Sequence, residues 1–175
     1  MMWSWESTTG ADVPHMVEMA QSHFKQEIDQ IFQPDPIAYA RNLTLATVQQ
    51  FYNPRAELLK VAKERDTDRI LAYTWAICSE KTAWSDEAMI CAKMAHVDLS
   101  LPVLQRLRLI TGMIVLWETW ARECSVPVVC STTMRRDQSG FLEIHRKLGY
   151  DVRGSFAYKR LSTTQATPAV SLSPS

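Results

Sequence analysis

The sequence lacks the features that mark several classes of protein. Its 19 basic and 19 acidic residues leave no net charge, so the overall charge favours neither nucleic acid nor an anionic membrane as a partner. Its four cysteines are far apart and form no C-x-x-C motif, which argues against a zinc site or a redox motif. We therefore expect no bound metal, and free thiols in a reducing compartment.

A long apolar segment is also missing. The longest such stretch, residues 109–117, is interrupted by Thr111 and Gly112 and reaches about half of a membrane span. The first residues of the chain contain no basic region followed by an apolar run, which predicts no cleaved signal peptide. We expect a soluble, cytoplasmic protein.

The length and the C-terminal composition predict one domain with a tail. A chain of 175 residues suits one domain with a substantial core and is too short for two ordinary ones. We assign the domain to residues 1–161. Residues 162–175 are rich in Ser, Thr, Ala and Pro, a composition that does not fold by itself.

Periodicity predicts helices first and strands next. Asp12-Val13-Pro14 and Pro34-Asp35-Pro36 resemble helix starts, because an Asx side chain caps free amides and proline suits the first turn. The second helix is expected to end near Asn53. Alternating and β-branched residues then predict an antiparallel meander of three strands over 58–64, 70–79 and 88–99. A further helix, strand, short helix and last strand are expected over about 103–123, 127–132, 139–147 and 155–161.

The long helix is apolar on two sides. One face carries Leu107, Ile110, Ile114, Trp117 and Ala121, and the other carries Leu109, Met113, Leu116 and Trp120. A helix that lies on a sheet needs a single apolar stripe, so the second face must meet another helix, a partner chain or a ligand. Internal packing and an interface both remain open. We expect a homo-oligomer or a larger protein assembly.

The order of these elements resembles the GNAT acyltransferase superfamily over residues 7–161. The most specific match is the segment FLEIHRKLGY at residues 141–150, which is similar to the family's helix-to-strand signature of lysine, an apolar residue, glycine and an aromatic residue. The resemblance implies an α/β (α+β) fold with a central mixed, mostly antiparallel sheet flanked by helices. It also implies acetyl-CoA as cofactor and an amine acceptor that attacks the thioester directly.

The family's phosphate loop reads Q or R, x, x, G, x, G or A, and it aligns with residues 105–110. Gln105 fits the first position, whereas Arg108 and Ile110 replace the two small residues. Glycine matters there because only bare backbone lets phosphate oxygens reach several amides at once. Arg106 and Arg108 would either bind phosphate with guanidinium groups or be solvated residues of a helix that binds nothing. A longer loop would use Gly112 instead.

The resemblance also implies positions for catalytic and cofactor-binding side chains. His145 stands where the family usually has the tyrosine that protonates the departing CoA thiolate, and a histidine pKa near 6.5 suits that role. His96 and Asp98 share a face of the central strand by alternation and are the candidate bases. Gln138 is closest to a cofactor-binding asparagine. The alternatives are a hydrogen-bonded core histidine and a turn-capping aspartate.

Two functions follow from the sequence. The first is an acyl-CoA-dependent N-acyltransferase with an atypical cofactor loop, whose acceptor-side loop is expected at residues 26–33. The second is a non-catalytic GNAT-fold protein with a structural or assembly role. GNAT-like proteins with eroded cofactor loops are encoded by phages, and the chain is similar to them in that respect, which makes a phage particle the alternative location. A regulatory module that binds CoA without turnover is a third, weaker hypothesis.

Overall fold

A computed structural model of the chain describes residues 2–27, 32–83, 85–133 and 138–154. A short 3₁₀ turn at Gly10–Asp12 leads into the first helix. Within the described residues the elements are β1 (Trp3–Ser7), α1 (Val13–Glu27), α2 (Pro36–Tyr52), β2 (Glu57–Glu64), β3 (Ile70–Thr82), β4 (Ser85–Val97), α3 (Val103–Cys124), β5 (Val128–Ser131) and α4 (Ser139–Lys147).

The strands form one mixed sheet, and the expected fold class is confirmed. The order in the sheet is β1-β2-β3-β4-β5, with antiparallel pairing throughout except for the parallel pair β4 and β5. Helices cover both faces of the sheet. The predicted order of elements from α1 to α4 is confirmed, while the predicted last strand and the tail lie outside the described residues.

The edge strand β1 is not predicted from the sequence. It pairs antiparallel with β2, from Trp3 opposite Glu64 to Ser7 opposite Lys60. Trp3 and Trp5 pack against the core on the α3 face of the sheet. A run of five residues is too short for alternation to distinguish a strand from a loop. Pairing with β2 is what makes this segment a strand and places its tryptophans against the core.

Helix α3 packs on one face of the sheet and buries most of its two apolar sides within the chain. Leu109, Met113, Ile114 and Trp117 are fully buried, and Trp120 is nearly so, whereas Leu107 is exposed. Internal packing therefore accounts for most of the two-sided pattern of this helix. No helix in the described part of the chain has the length and apolar character needed to cross a bilayer.

Helices α1 and α2 cover the opposite face. Met16, Ala20 and Leu43 are fully buried there against Leu59 and Tyr73 of the sheet. The outer side of α2 is apolar as well as exposed, and its large residues there are Ile37, Leu45, Val48, Phe51 and Tyr52. Exposed apolar side chains thus lie on α2 and also on α3, where Val103, Leu104, Leu107 and Val115 are exposed.

A β-bulge at Lys93 divides β4 into two segments with opposite orientation. Trp75 of β3 pairs with Met94, whereas the next residue, Ala76, pairs with Ala92, so Lys93 is an extra residue on β4. Ile90 faces α3, while Met94 packs on the face of α1 and α2. Regular alternation would have placed both side chains on one face.

The pairing of β4 with β5 ends at the same bulge. Met89 pairs with Val128 at one end of the parallel ladder, and Ala92 pairs with Ser131 at the other. Residues 94–97 of β4 continue to pair with β3 but have no strand on their outer side among the described residues. The parallel ladder therefore ends before β4 does, and we call the region beyond its last pair, Ala92 and Ser131, the gap.

A buried chain of hydrogen bonds fixes the bulge. The Trp117 indole Nε1–H donates to Thr74 Oγ1 (2.8 Å), and the Thr74 hydroxyl donates to the carbonyl oxygen of Met94 (3.0 Å). Trp117 and Thr74 are both fully buried. Helix α3 is thereby connected through a strand side chain to the backbone of the residue that follows the bulge.

Replacing Thr74 by valine should destabilise the fold. The change keeps the volume but removes the acceptor of the buried Trp117 N–H and the donor to Met94, at about 1–3 kcal/mol for a buried group left unsatisfied. Unfolding by urea would measure the loss. Thr74→Ser keeps the hydroxyl and should lose less.

The matched control is Thr44→Val on α2. Thr44 is exposed, and its hydroxyl donates to the Ala40 carbonyl one turn earlier. Its replacement should change the free energy of unfolding by no more than about 0.5 kcal/mol. Equal effects of the two valine variants would contradict the structural role of the Thr74 hydroxyl.

Candidate functional site

The residues expected to form a site lie at the carboxyl ends of the two parallel strands. Asp98 follows β4 and leads to the start of α3, while β5 leads to α4. In open sheets that contain parallel strands, ligands bind in the crevice outside the carboxyl ends of those strands. The gap between β4 and β5 is therefore the candidate site.

The segment aligned with the phosphate loop is helical. The amides of Gln105 and Arg106 both donate to the carbonyl oxygen of Pro102 (2.9 and 3.1 Å), and from Arg106 onward the amides belong to the helix. Val103 and Leu104 are the first-turn residues whose amides have no acceptor within the helix. Residues 106–110 therefore do not form the backbone cradle that the resemblance implies.

The small residue in this helix has a packing role. A methyl group added at Gly112 would lie 3.1 Å from Nε1 of Trp5, closer than an ordinary contact. Ile110, at the position of the family's second small residue, packs against the core. Gly112 thus accommodates the β1 indole on α3, and its position inside the helix contradicts the hypothesis that it belongs to a longer phosphate loop.

Two side chains at the start of α3 each have one polar atom that no described residue contacts through a hydrogen bond. Gln105 Oε1 and Arg106 Nε are buried and have no hydrogen-bond partner within the described residues, while Arg108 is exposed. Leaving a buried polar group unsatisfied costs about 1–3 kcal/mol. Arg106 Nε is a donor, and with the amides of Val103 and Leu104 and the positive end of the helix dipole it fits an anionic ligand held partly by side chains. Gln105 Oε1 is an acceptor and would need a donor from a ligand.

The end of β5 adds a residue that no sequence pattern singles out. Ser131 Oγ is buried and unpartnered among the described residues, at the last residue of the strand. Gln138, exposed at the start of α4, donates from Nε2 to the Thr133 carbonyl (3.4 Å). Residues 134–137 lie outside the described residues. A small strand-end serine has no distinctive spacing, so its position depends on the fold.

His145 is held in one tautomer. The residue is 3% exposed, and its Nδ1 lies 2.9 Å from the Phe141 carbonyl oxygen. Because a carbonyl can only accept, Nδ1 carries the proton, and the neutral ring leaves a lone pair on Nε2, which is buried and unpartnered within the described chain. Burial lowers the pKa of His145, which outweighs the opposite effect of the Phe141 carbonyl. The geometry therefore favours a proton acceptor at Nε2 over the proton donor that the resemblance implies.

Tyr150 supplies a proton donor beside this histidine. The ring of Tyr150 meets that of His145 edge-on, with 4.9 Å between the ring centroids. Burial raises the pKa of the Tyr150 hydroxyl, and the nearby Glu118 carboxylate raises it further, so the hydroxyl stays protonated. From the sequence, Tyr150 is only the aromatic end of the helix-to-strand signature.

His96 and Asp98 have different partners. His96 is buried, its Nδ1 lies 3.2 Å from Nδ1 of His23 on α1, and its ring centroid lies 4.9 Å from that of Tyr73. Asp98 accepts from the Ser100 amide (2.8 Å) and forms an ion pair with Arg69. The bulge places His96 on the face of α1 and α2, so the carboxylate that caps the turn does not orient its ring.

The contacts of Asp98 also fix its charge. Burial opposes ionisation, but the hydrogen bonds from Ser100 and the Arg69 guanidinium together hold the pKa of Asp98 below its ordinary value. A carboxylate that is ionised, capped and ion-paired is a weak base. The catalytic roles of His96 and Asp98 remain predictions.

Comparison with known proteins identifies the fold. No protein-family model matches the sequence, and no curated protein matches it. Solved structures do: an aminoglycoside 6'-N-acetyltransferase, AAC(6')-Ih from Acinetobacter baumannii, aligns with a TM-score of 0.66 at 14% identity, over 92% of this chain and 99% of that chain. A predicted acetyltransferase from Clostridium acetobutylicum with acetyl-CoA gives 0.64 at 14%, over 91% and 96%. The chain has the GNAT-like acetyltransferase fold.

The GNAT-like fold does not by itself determine an activity. A transcriptional regulator from Bacillus halodurans C-125 aligns with a TM-score of 0.69 at 13% identity, over 91% of this chain and 100% of that chain. One fold thus carries proteins described by different functions. The function of this GNAT-like chain must be argued from its own residues.

The buried state of His145 predicts a pH-dependent stability. Because its pKa in the folded protein is below 6.5, the unfolded chain takes up a proton first as the pH falls, and the free energy of unfolding decreases below pH 6.5. The loss reaches at most about 1.4 kcal/mol for each pH unit. Urea unfolding at pH 7.5 and 5.5 should show a smaller decrease for His145→Gln than for the wild type.

The control for this experiment is His15→Gln on α1. His15 is exposed, so its replacement should leave the pH dependence as in the wild type. A decrease between pH 7.5 and 5.5 that is as large in His145→Gln as in the wild type would contradict the assignment of a buried, neutral imidazole.

Proposed function

We propose that the protein is an acyl-CoA-dependent N-acyltransferase. The observation that carries the proposal is the end of the β4–β5 ladder at Ala92 and Ser131, together with buried polar atoms on α3, β5 and α4 that have no partner among the described residues. These atoms are Gln105 Oε1, Arg106 Nε, Ser131 Oγ and His145 Nε2. Similarity to the fold of acetyltransferases, one of them with acetyl-CoA, supports the same function.

The start of α3 would hold the phosphates of the cofactor. The Arg106 and Arg108 guanidinium groups bind anions through charge-assisted hydrogen bonds, and the amides of Val103 and Leu104 lie at the positive end of the helix dipole. Gln105 adds its amide side chain. Bound acyl-CoA supplies an acyl group activated as a thioester. Side chains thus replace the glycine backbone that the family uses.

Two side chains on the α4 side of the gap can move the protons of the reaction. Forming an amide from an amine releases a proton, and the thioester sulfur must end as a thiol. His145, held neutral, can accept a proton at Nε2, and Tyr150 holds one at its hydroxyl. The edge-to-face contact of the two rings keeps acceptor and donor together.

One observation favours a second function. Because the amides of residues 106–110 belong to helix α3, the protein lacks the backbone phosphate cradle that acyl-CoA enzymes of this family use. A non-catalytic GNAT-fold protein in a larger assembly, such as a phage particle, needs no such cradle. Its partners would be copies of the chain or other proteins of the assembly.

Binding of acetyl-CoA separates the two functions. Calorimetric titration of the purified protein at two temperatures should give micromolar affinity if the side chains at the start of α3 hold the phosphates. A second temperature is needed because the heat of binding can vanish at one temperature. No binding at millimolar acetyl-CoA would reject the acyltransferase and leave the assembly role.

Single arginine replacements test the phosphate contacts. Arg108→Ala and Arg106→Ala should each weaken acetyl-CoA binding by about 1.5–3 kcal/mol, the strength of a hydrogen bond to a charged group, or roughly 10- to 150-fold in affinity. Arg41→Ala removes the same charge from the exposed side of α2 and should leave the affinity unchanged. Unaltered binding of acetyl-CoA by both α3 variants would contradict the proposed contacts between these arginines and the phosphates.

A further inference from the structure

A second site is suggested by an apolar cavity between α1 and α2. Its volume is ≈ 290 Å³, and it lies on the face of the sheet opposite to α3. Apolar side chains from three elements form its walls: Val17, Ala20 and Phe24 from α1, Ala38 and Tyr39 from α2, and Met94 from β4. Phe32 and Gln33, within the expected acceptor-side loop, complete the lining.

The cavity reaches the part of β4 that lies beyond its pairing with β5, since Met94 is one of its lining residues. Met94 is the residue directly after the Lys93 bulge, on the segment of β4 that β5 no longer pairs. A gap between two strands connects the faces of a sheet. An acyl group held in the gap from the α3 side would therefore lie next to a compound in the cavity on the other side.

The polar groups around the cavity are already engaged or neutral. The Tyr39 hydroxyl is hydrogen-bonded to the Tyr73 hydroxyl (2.8 Å), so each of them has a partner. Among the described residues that line the cavity, Asp35 is the one carboxylate, and its Oδ1 accepts from the amides of Ile37 (3.0 Å) and Ala38 (2.9 Å) at the start of α2. The other polar residues of this described lining, apart from Tyr39, are the neutral amides Gln21, Gln33 and Asn42.

These properties select against a polycation. Recognition of several ammonium groups needs several carboxylates, and a charge without a partner is costly in an apolar cavity. The size suits a small group, since a cavity of about 150 Å³ is enough to bind benzene. One aromatic ring or branched aliphatic chain, with a short linker, fits this volume and this lining.

We propose that the cavity binds the side chain of the acceptor, and that the acceptor is a primary amine with one aromatic or branched aliphatic group. The inference rests on the proposed acyltransferase function. The amine nitrogen forms a bond to the acyl carbon, the bond from that carbon to sulfur breaks, and the amine loses one proton while the sulfur gains one. The products are an amide and free CoA.

Two measurements test this acceptor class. The first is binding of 2-phenylethylamine to the protein without any CoA compound, followed by saturation-transfer NMR. The second is release of free thiol from acetyl-CoA with 2-phenylethylamine or the polycation kanamycin as acceptor. We expect saturable binding of 2-phenylethylamine and a kcat/KM at least roughly tenfold higher for it than for kanamycin.

Variants that fill or cover the cavity test whether 2-phenylethylamine binds there. Ala38→Phe fills the cavity, and Asn42→Trp, from an exposed position on its rim, covers its mouth with less risk to folding. Both should weaken binding and lower kcat/KM for 2-phenylethylamine by roughly tenfold or more, with the acetyl-CoA affinity unchanged. Thr44→Phe places the same ring on the exposed side of α2, outside the cavity, and should change neither.

The outcomes separate this inference from the proposed function. A preference for kanamycin, or full activity and binding in both cavity variants, would overturn the acceptor class while the acyltransferase stands. Binding of 2-phenylethylamine that the cavity variants abolish, without any binding of acetyl-CoA, would reject the acyltransferase and support the cavity as a site for an apolar amine. Absence of 2-phenylethylamine binding and turnover in the wild type would overturn the inference.

Discussion

The hydrogen-bond chain from Trp117 through Thr74 to the Met94 carbonyl is the interaction on which the rest of the structure depends. It joins helix α3 to the backbone beside the Lys93 bulge, in a part of the core from which water is excluded. The bulge shifts the alternation of β4 side chains by one residue, so that Met94 and His96 face α1 and α2. The ladder between β4 and β5 ends at the same place, so the last residues of β4 pair with β3 alone among the described strands.

At both ends of the candidate site, side chains present polar atoms. At the start of α3, helical hydrogen bonds occupy the amides that a glycine loop would offer, and Gln105 and Arg106 present unpartnered polar atoms instead. On α4, the Phe141 carbonyl fixes the proton of His145 on Nδ1, and Tyr150 keeps its own proton. This tautomer favours proton acceptance at Nε2 of His145, whereas its position alone implies proton donation, and its catalytic role stays a prediction.

Most of the fold is predictable because each helix and each meander strand has its own periodicity and its own start residue. Asp35 caps α2 as expected, and the three antiparallel strands follow from their alternation. The bulge is not predictable, because one extra lysine within β4 leaves no mark in composition. Alternation therefore predicts a His96–Asp98 pair, whereas the contacts of His96 are with His23 and Tyr73. Ser131 and Tyr150 become candidates for the site only through the tertiary structure, because no sequence pattern marks either as a functional residue.

The central claim, that acyl-CoA binds where the pairing of β4 with β5 ends, is tested most directly by backbone amide NMR during titration with acetyl-CoA. The account predicts chemical-shift changes concentrated at Val103 and Leu104, at residues 93–95 and at Ser131. The amides of residues 107–110, engaged within the helix, should change less. Unchanged signals at the strand gap with millimolar acetyl-CoA, or changes confined to another surface, would contradict the account.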